Sequence, residues 1–331
     1  MRCAVIGAGA WGTALADLLA NNGHDTTIWA LEPDVAASID ETHENRRFLR
    51  GLSLAASLRA TNQLDTALRG AELVVYAVPS QHLRAVARIG AGCVARDAIL
   101  TVASKGIERS SLSLMTTVIE AELPERFVVG ISGPSFAEEV VRRQPTAIVA
   151  ASANADAAVV VQDALSNSSF RVYTSVDVPG VELGGALKNV MAVATGIVEG
   201  VGLGYNSRAA LITRGLHEMT RLGVALGARA STFAGLAGVG DLVLTCTGSL
   251  SRNRAVGLEI GRGATLEQAL AGKETVAEGV ATTASARALA LRHDVDMPIV
   301  QMVHRILFDG HTARDAVPEL MARDLRPEQD L

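Results

Sequence analysis

Gly7, Gly9 and Gly12 lead from a run of apolar residues at 3–6 into a helical pattern at 11–22. No other feature constrains this chain so tightly. In a G-x-G-x-x-G turn that leaves a strand and opens a helix, each glycine has a separate reason. Gly7 lets the chain turn sharply, Gly9 lets bare backbone approach a pyrophosphate, and Gly12 lets the helix pack closely on the strand. The unpaired N–H groups and dipole at the helix start then favour an anion. The glycines alone do not specify this. Their position between a strand and a helix gives them meaning.

The residues up to 173 repeat that alternation. Short β-rich runs at 3–6, 26–29, 73–77, 99–103, 127–131 and 147–150 are separated by helical patterns at 11–22, 81–89, 111–122, 136–142 and 155–165. Near-continuous apolar strands spaced by helices predict a parallel sheet covered on both faces, a doubly wound α/β domain. From Pro179 onward the sequence shows only helical periodicity, at 181–199, 207–226, 252–260, 266–270, 282–292, 299–308 and 313–321. The reading is therefore a doubly wound, Rossmann-type α/β domain over 1–178 and an all-α domain over 179–331. The last few residues are expected to fray.

Composition removes other classes. Thirty basic against 35 acidic side chains leave a net charge of −5, without the basic excess that nucleic-acid binding needs. With 49% hydrophobic and 20% charged residues the chain is globular. Cys3, Cys93 and Cys246 are odd in number and far apart, which fits a reduced compartment, and the cytoplasm is the expected location. The uncharged stretch after Arg2 mimics a signal peptide, but its glycines would weaken a signal helix. The apolar stretch 183–201 is interrupted by Lys188, Asn189 and Glu199, so no membrane span is expected. Neither a metal site nor a nucleic-acid partner is expected, and a homodimer is the assembly kept open.

The sharpest chemistry lies in the second half. Lys188 is the one charged residue from 183 to 198, and burying an ammonium there is costly without a partner or a task. Desolvation would lower its pKa toward the range that general acid–base work requires. Asp241 and Thr245 would stand one turn apart on a helix face. Ser251 is a natural N-cap, which sets Arg252 and Asn253 at a helix start where a phosphate could sit. In the first half, the ends of the strands carry Val78-Pro79-Ser80, Ser104-Lys105-Gly106 and Ser132-Gly133-Pro134-Ser135, where open sheets bind ligands. Lys105 is the most telling of these. Leu31 and Glu32 close the second strand. Glu32 there would accept bonds from ribose hydroxyls, which favours NADH, whereas Arg46 and Arg47 offer charge to a 2′-phosphate.

Together these blocks resemble the bacterial NAD(P)-dependent glycerol-3-phosphate dehydrogenases: GAGAWGTALA, RRFL, VPS, SKG, SGPSFAEE, ELGGALKNVMA, AALITRGLHEM, GLAGVGDLVLTCT, SRN, VAEGV and MPI. The resemblance implies that Lys188 accepts a proton and that Lys105, Gly133, Ser135, Asp241, Ser251, Arg252 and Asn253 contact glycerol phosphate. It places Ala10, Trp11, Arg47, Lys105, Ala137, Arg252, Val276 and Glu278 along NAD or NADP, and Leu31 beside them at the cofactor's adenosine end. The expected activity interconverts sn-glycerol 3-phosphate and dihydroxyacetone phosphate and supplies phospholipid synthesis. Ala10 stands where the family often has Ser, Leu31 where it often has a basic residue, and Gly248-Ser249 where Ser-Pro is usual. A β-hydroxyacid dehydrogenase of similar architecture and a non-catalytic dinucleotide sensor are the rival readings. A SAM-dependent methyltransferase shares only the glycine turn.

Overall fold

A computed structural model describes residues 1–272, 276–322, 324–325 and 327–328. The expected fraying of the last residues falls on 329–331, outside the described residues. Ten strands form in the first half: β1 (Arg2–Ile6), β2 (Asp25–Trp29), β3 (Glu44–Asn45), β4 (Leu49–Ser53), β5 (Arg59–Thr61), β6 (Leu73–Tyr76), β7 (Ile99–Val102), β8 (Val128–Ser132), β9 (Thr146–Ala151) and β10 (Phe170–Ser175). Seven helices accompany them: α1 (Ala10–Asn21), α2 (Pro33–Thr42), α3 (Leu64–Leu68), α4 (Leu83–Gly90), α5 (Met115–Glu122), α6 (Ala137–Val141) and α7 (Ala155–Leu165).

Eight strands make one sheet in the order β10-β9-β8-β7-β6-β1-β2-β5, with β3 and β4 as a separate antiparallel ribbon. β1 lies between β2 and β6, both parallel to it, with Ile6 paired to Trp29 on one side and to Tyr76 on the other. The chain thus winds outward from β1 in both directions, and its carboxyl edge opens a crevice at that switch point. The fully buried strand residues, such as Val5, Val75 and Ile148 on one side and Ile6, Val74 and Leu100 on the other, feed two separate apolar cores. Both faces are covered, as continuous apolar strands require.

The structure corrects the sequence reading at several places. The sheet is not wholly parallel, because β9 runs antiparallel to β8. β10 was not anticipated: Arg171 and Tyr173 alternate with buried Phe170 and Val172, and such alternation belongs to an edge strand rather than a buried one. The helix expected over 111–122 starts only at Met115, since Leu112 adopts φ 61° and 107 bridges to 114. The short α2 and α3 and the β3–β4 ribbon were also missed.

The second half is helical: α8 (Val178–Gly200), α9 (Tyr205–Ala225), α10 (Ala230–Phe233), α11 (Asp241–Thr247), α12 (Arg252–Gly261), α13 (Leu266–Leu270), α14 (Glu278–Arg292), α15 (Pro298–Phe308) and α16 (Ala313–Met321). Among the described residues no strand follows Ser175. α8 is long and apolar enough to cross a membrane, yet its most apolar window is 100% buried inside the protein. It is the core helix on which α9, α10, α11, α12, α14 and α15 pack. Side-chain-free contacts bring α12 close: a Cβ on Gly257 would lie 2.0 Å from the Val193 carbonyl oxygen, and one on Gly196 would lie 2.1 Å from that of Arg254. Two glycines thus let two backbones touch, and the start of α12 reaches the middle of α8.

Candidate active site

The glycine turn takes the form its spacing predicts. Gly7 sits at φ 111°, and a Cβ there would meet the Ala77 carbonyl oxygen at 2.8 Å. A Cβ on Gly12 would lie 1.9 Å from the Gly7 carbonyl oxygen, so the helix lies directly on the turn. Gly9 has open space at the corresponding position, and α1 begins there with neither a side-chain cap nor an acidic residue in its first turn. Its first N–H groups therefore face the crevice unanswered, as a pyrophosphate site requires.

From this turn a cleft of about 470 Å³ runs across the carboxyl edge of the sheet to the helices of the second half. Ala10, Trp11, Leu31 and Glu32 line one end. Lys105, Ser135 and Ala137 line its middle, and Lys188, Thr245, Ser251, Arg252, Asn253, Val276 and Glu278 line the helical wall. A hollow of about 580 Å³ beside β9 and β10 includes none of the candidate residues. It lies off the switch-point edge and holds no such constellation.

Three charged groups meet in the cleft floor. Asp241 is fully buried at the first turn of α11, delivered there by a π-helical turn at Leu236–Gly240. Lys105 Nζ donates to its Oδ2 at 2.7 Å and to the Gly133 carbonyl at 3.2 Å, and Lys188 Nζ pairs with its Oδ1. Thr245 Oγ1 donates to the Asp241 carbonyl at 2.7 Å, one turn along the helix as expected. Burial lowers the pKa of Lys188 to about 7; Asp241 resists that fall and Lys105 adds to it. Burial alone would raise the pKa of Asp241, but the two ammonium groups outweigh it and hold the carboxyl below its usual range. Two cations on one anion leave an excess positive charge facing the cleft, suited to an alkoxide or phosphate.

Ser251 caps α12, accepting from the Arg254 N–H at 3.3 Å. Asn253 accepts from the Gly279 N–H at 2.9 Å and donates to Asn189 Oδ1 at 2.9 Å. These bonds fix which way the Asn253 amide faces. Gly133 stands behind the wall as the acceptor for Lys105, and Gly12 lies beneath the turn. Arg47 packs its guanidinium 5.2 Å from the Phe48 ring, and Phe48 lines the cleft while Arg47 does not. Arg46 is exposed and pairs with Glu44 at 3.5 Å. The sequence reading passed over Asn189, Phe48 and Phe136 as individual site residues. Asn189 had one signal, its place beside Lys188; the two rings had none outside the motifs that contain them.

Comparison with known proteins gives the family. Residues 2–158 match the family described as NAD-dependent glycerol-3-phosphate dehydrogenase N-terminus, and 177–318 match the C-terminus of the same family. The glycerol-3-phosphate dehydrogenase (NAD(P)+) of Trichlorobacter lovleyi is 54% identical over 333 residues, covering 99% of this chain and 100% of the relative. That of Geobacter sp. (strain M21) is 52% identical over 99% of this chain and 98% of its own. The crystal structure of glycerol-3-phosphate dehydrogenase from Coxiella burnetii superposes with a TM-score of 0.94 at 39% identity, covering 97% of this chain and 98% of that one. With both halves matched and identity above half along the whole length, the chain belongs to the NAD-dependent glycerol-3-phosphate dehydrogenase family and is an NAD(P)-dependent oxidoreductase.

Proposed function

We propose that the chain interconverts dihydroxyacetone phosphate and sn-glycerol 3-phosphate, with Lys188 as the proton-transferring residue. One observation carries the assignment: Lys105 and Lys188 share one buried carboxylate at the floor of a cleft that begins at a bare glycine turn. The open Cβ position of Gly9 and the uncapped start of α1 fit a dinucleotide pyrophosphate held by Gly7, Gly9, Ala10 and Trp11. The nicotinamide, when bound, supplies or accepts the hydride at the reacting carbon. Protonated Lys188 gives its proton to the carbonyl oxygen in reduction, and neutral Lys188 takes the hydroxyl proton in oxidation. Its pKa of about 7 keeps both forms populated near neutrality.

Lys105 stabilises the developing alkoxide by charge, and Asp241 aims both ammonium groups while Thr245 steadies it. Arg252 and Asn253, at the start of α12, would anchor the phosphate together with the N–H groups of that first turn. Gly133, Ser135 and Ser251 shape the same end. Leu31, Arg47, Ala137, Val276 and Glu278 are assigned to the dinucleotide. The residues 1–178 would then bind the cofactor, and 179–331 would bring the substrate against it. The product suits phospholipid synthesis in the cytoplasm, where Cys3, Cys93 and Cys246 would stay the free thiols they are here. A homodimer is the proposed assembly, checked by light scattering on the purified protein. The deciding assay is NADH and NADPH oxidation with dihydroxyacetone phosphate and, separately, a β-keto acid. Turnover with the keto acid alone would overturn the substrate assignment.

A further inference from the structure

Ser80 is 1% exposed and lies behind the cleft wall, on the loop after β6. Its two donors reach across 198 residues of sequence to one carboxylate at the start of α14. The backbone N–H bonds Glu278 Oε1 at 2.9 Å, and the hydroxyl bonds Oε2 at 2.6 Å. The next N–H along α14, that of Gly279, bonds Asn253 Oδ1 at 2.9 Å. The hydroxyl is itself held, since Gln81 Nε2 donates to it at 3.2 Å and to the Ile107 carbonyl at 2.9 Å. Gly106, beside Lys105, packs where a Cβ would come within 2.5 Å of that hydroxyl. Hydrogen bonds from the Ile107 carbonyl to Glu278, and from Gly279 next along the chain to Asn253, therefore join the loop after Lys105 to the first turns of α14 and α12.

We propose that Ser80 is a positioning residue: by clasping Glu278 it fixes the start of α14, and through the Gly279 N–H it fixes the Asn253 amide that faces the substrate phosphate. This rests on the assignment of Asn253 to that phosphate. An amide turned by half a rotation would present oxygen, not N–H, to an anion. Gly279 opposes this by donating to Asn253 Oδ1, as Asn189 Oδ1 does by accepting from its Nδ2, and Gly279 is the next residue along the chain from Glu278. Burial pushes the Glu278 carboxyl pKa up, and the two Ser80 donors oppose that rise, so the clasp also helps keep its charge.

The test compares Ser80→Ala with wild type, using dihydroxyacetone phosphate and unphosphorylated dihydroxyacetone as substrates. For Ser80→Ala, KM for the phosphorylated substrate should rise about tenfold, as befits one lost bond to a charged group. Its kcat should fall less than about threefold, and kcat/KM for dihydroxyacetone should stay unchanged. In a Glu278→Ala background the same substitution should add nothing, because Ser80 acts through Glu278. An unchanged KM, equal losses on both substrates, or additive effects in the double variant would each overturn the clasp. If Ser80→Ala lowers Tm by more than a few degrees, Ser80→Cys, a weaker donor of nearly the same shape, serves in its place and should show the same substrate selectivity. A wild type inert toward dihydroxyacetone phosphate overturns the functional reading and the clasp together. An active wild type with an unaltered Ser80 variant overturns the clasp alone.

Discussion

Lys105 and Lys188 are held by opposite oxygens of a single buried carboxylate, Asp241, although one stands at the sheet edge and the other in the middle of α8. Neither ammonium could be buried there alone, and Asp241, fully enclosed, could not stay charged without them. Asp241 favours the charged form of Lys188 and the two lysines keep Asp241 ionised, while Lys105 adds to the fall in the pKa of Lys188.

Lys188→Ala should lower kcat for dihydroxyacetone phosphate reduction by about 10²–10⁴-fold, the usual worth of a general acid–base group. NADH binding, measured by fluorescence titration, should change little. A rate within about threefold of wild type would exclude proton transfer by Lys188.

The pH dependence follows from the same residue. Reduction needs protonated Lys188, so its kcat should be level below about pH 7 and fall as pH rises through that value. Oxidation needs the neutral amine and should rise over the same range. Asp241→Asn removes the charge that favours the ammonium, so the alkaline limb of the reduction profile should move to lower pH. The same change removes the carboxylate partner of both lysines and should destabilise the fold, visible as a lower Tm. An unmoved limb in a folded Asp241→Asn protein would remove Asp241 from the tuning of Lys188.

Arg252→Ala should raise KM for dihydroxyacetone phosphate roughly 10- to 100-fold through loss of a charged partner. Arg252 lines the cleft between substrate and cofactor assignments, so a smaller rise in KM for NADH should accompany it. Steady-state kinetics with each ligand varied in turn distinguishes the two effects, and unchanged constants for both would refute the placement.

Cofactor choice should be set at the end of β2. Leu31 is 71% exposed and lines the cleft beside Glu32, whose carboxylate makes no capping bond to α2. An acid in this position accepts ribose hydroxyls and repels a 2′-phosphate. NADH should therefore be used at least as well as NADPH. Leu31→Arg should shift the ratio of kcat/KM toward NADPH by about tenfold, because a guanidinium pairs with phosphate. A strong native preference for NADPH, unaltered by the substitution, would show that these two residues do not decide it.

The sequence by itself determined the elements whose cause is local. The glycine turn could be read residue by residue, because turn sterics and helix packing act over a few positions. The same holds for Ser251 as a cap, for the one-turn spacing of Asp241 and Thr245, and for Lys188 as an anomaly in an apolar run. Tertiary structure decided what depends on distant partners. β10 escaped because an edge strand carries exposed residues such as Arg171, and β9 reversed direction without any local sign. Nothing near Lys188 announces that Asp241 would be its counter-ion, or that Lys105 would share it. Nothing near Ser80 points to Glu278. Those pairs exist because the middle of α8 meets α11, α12 and α14 at the crevice of the sheet, and a buried charge finds its partner through space, not along the chain.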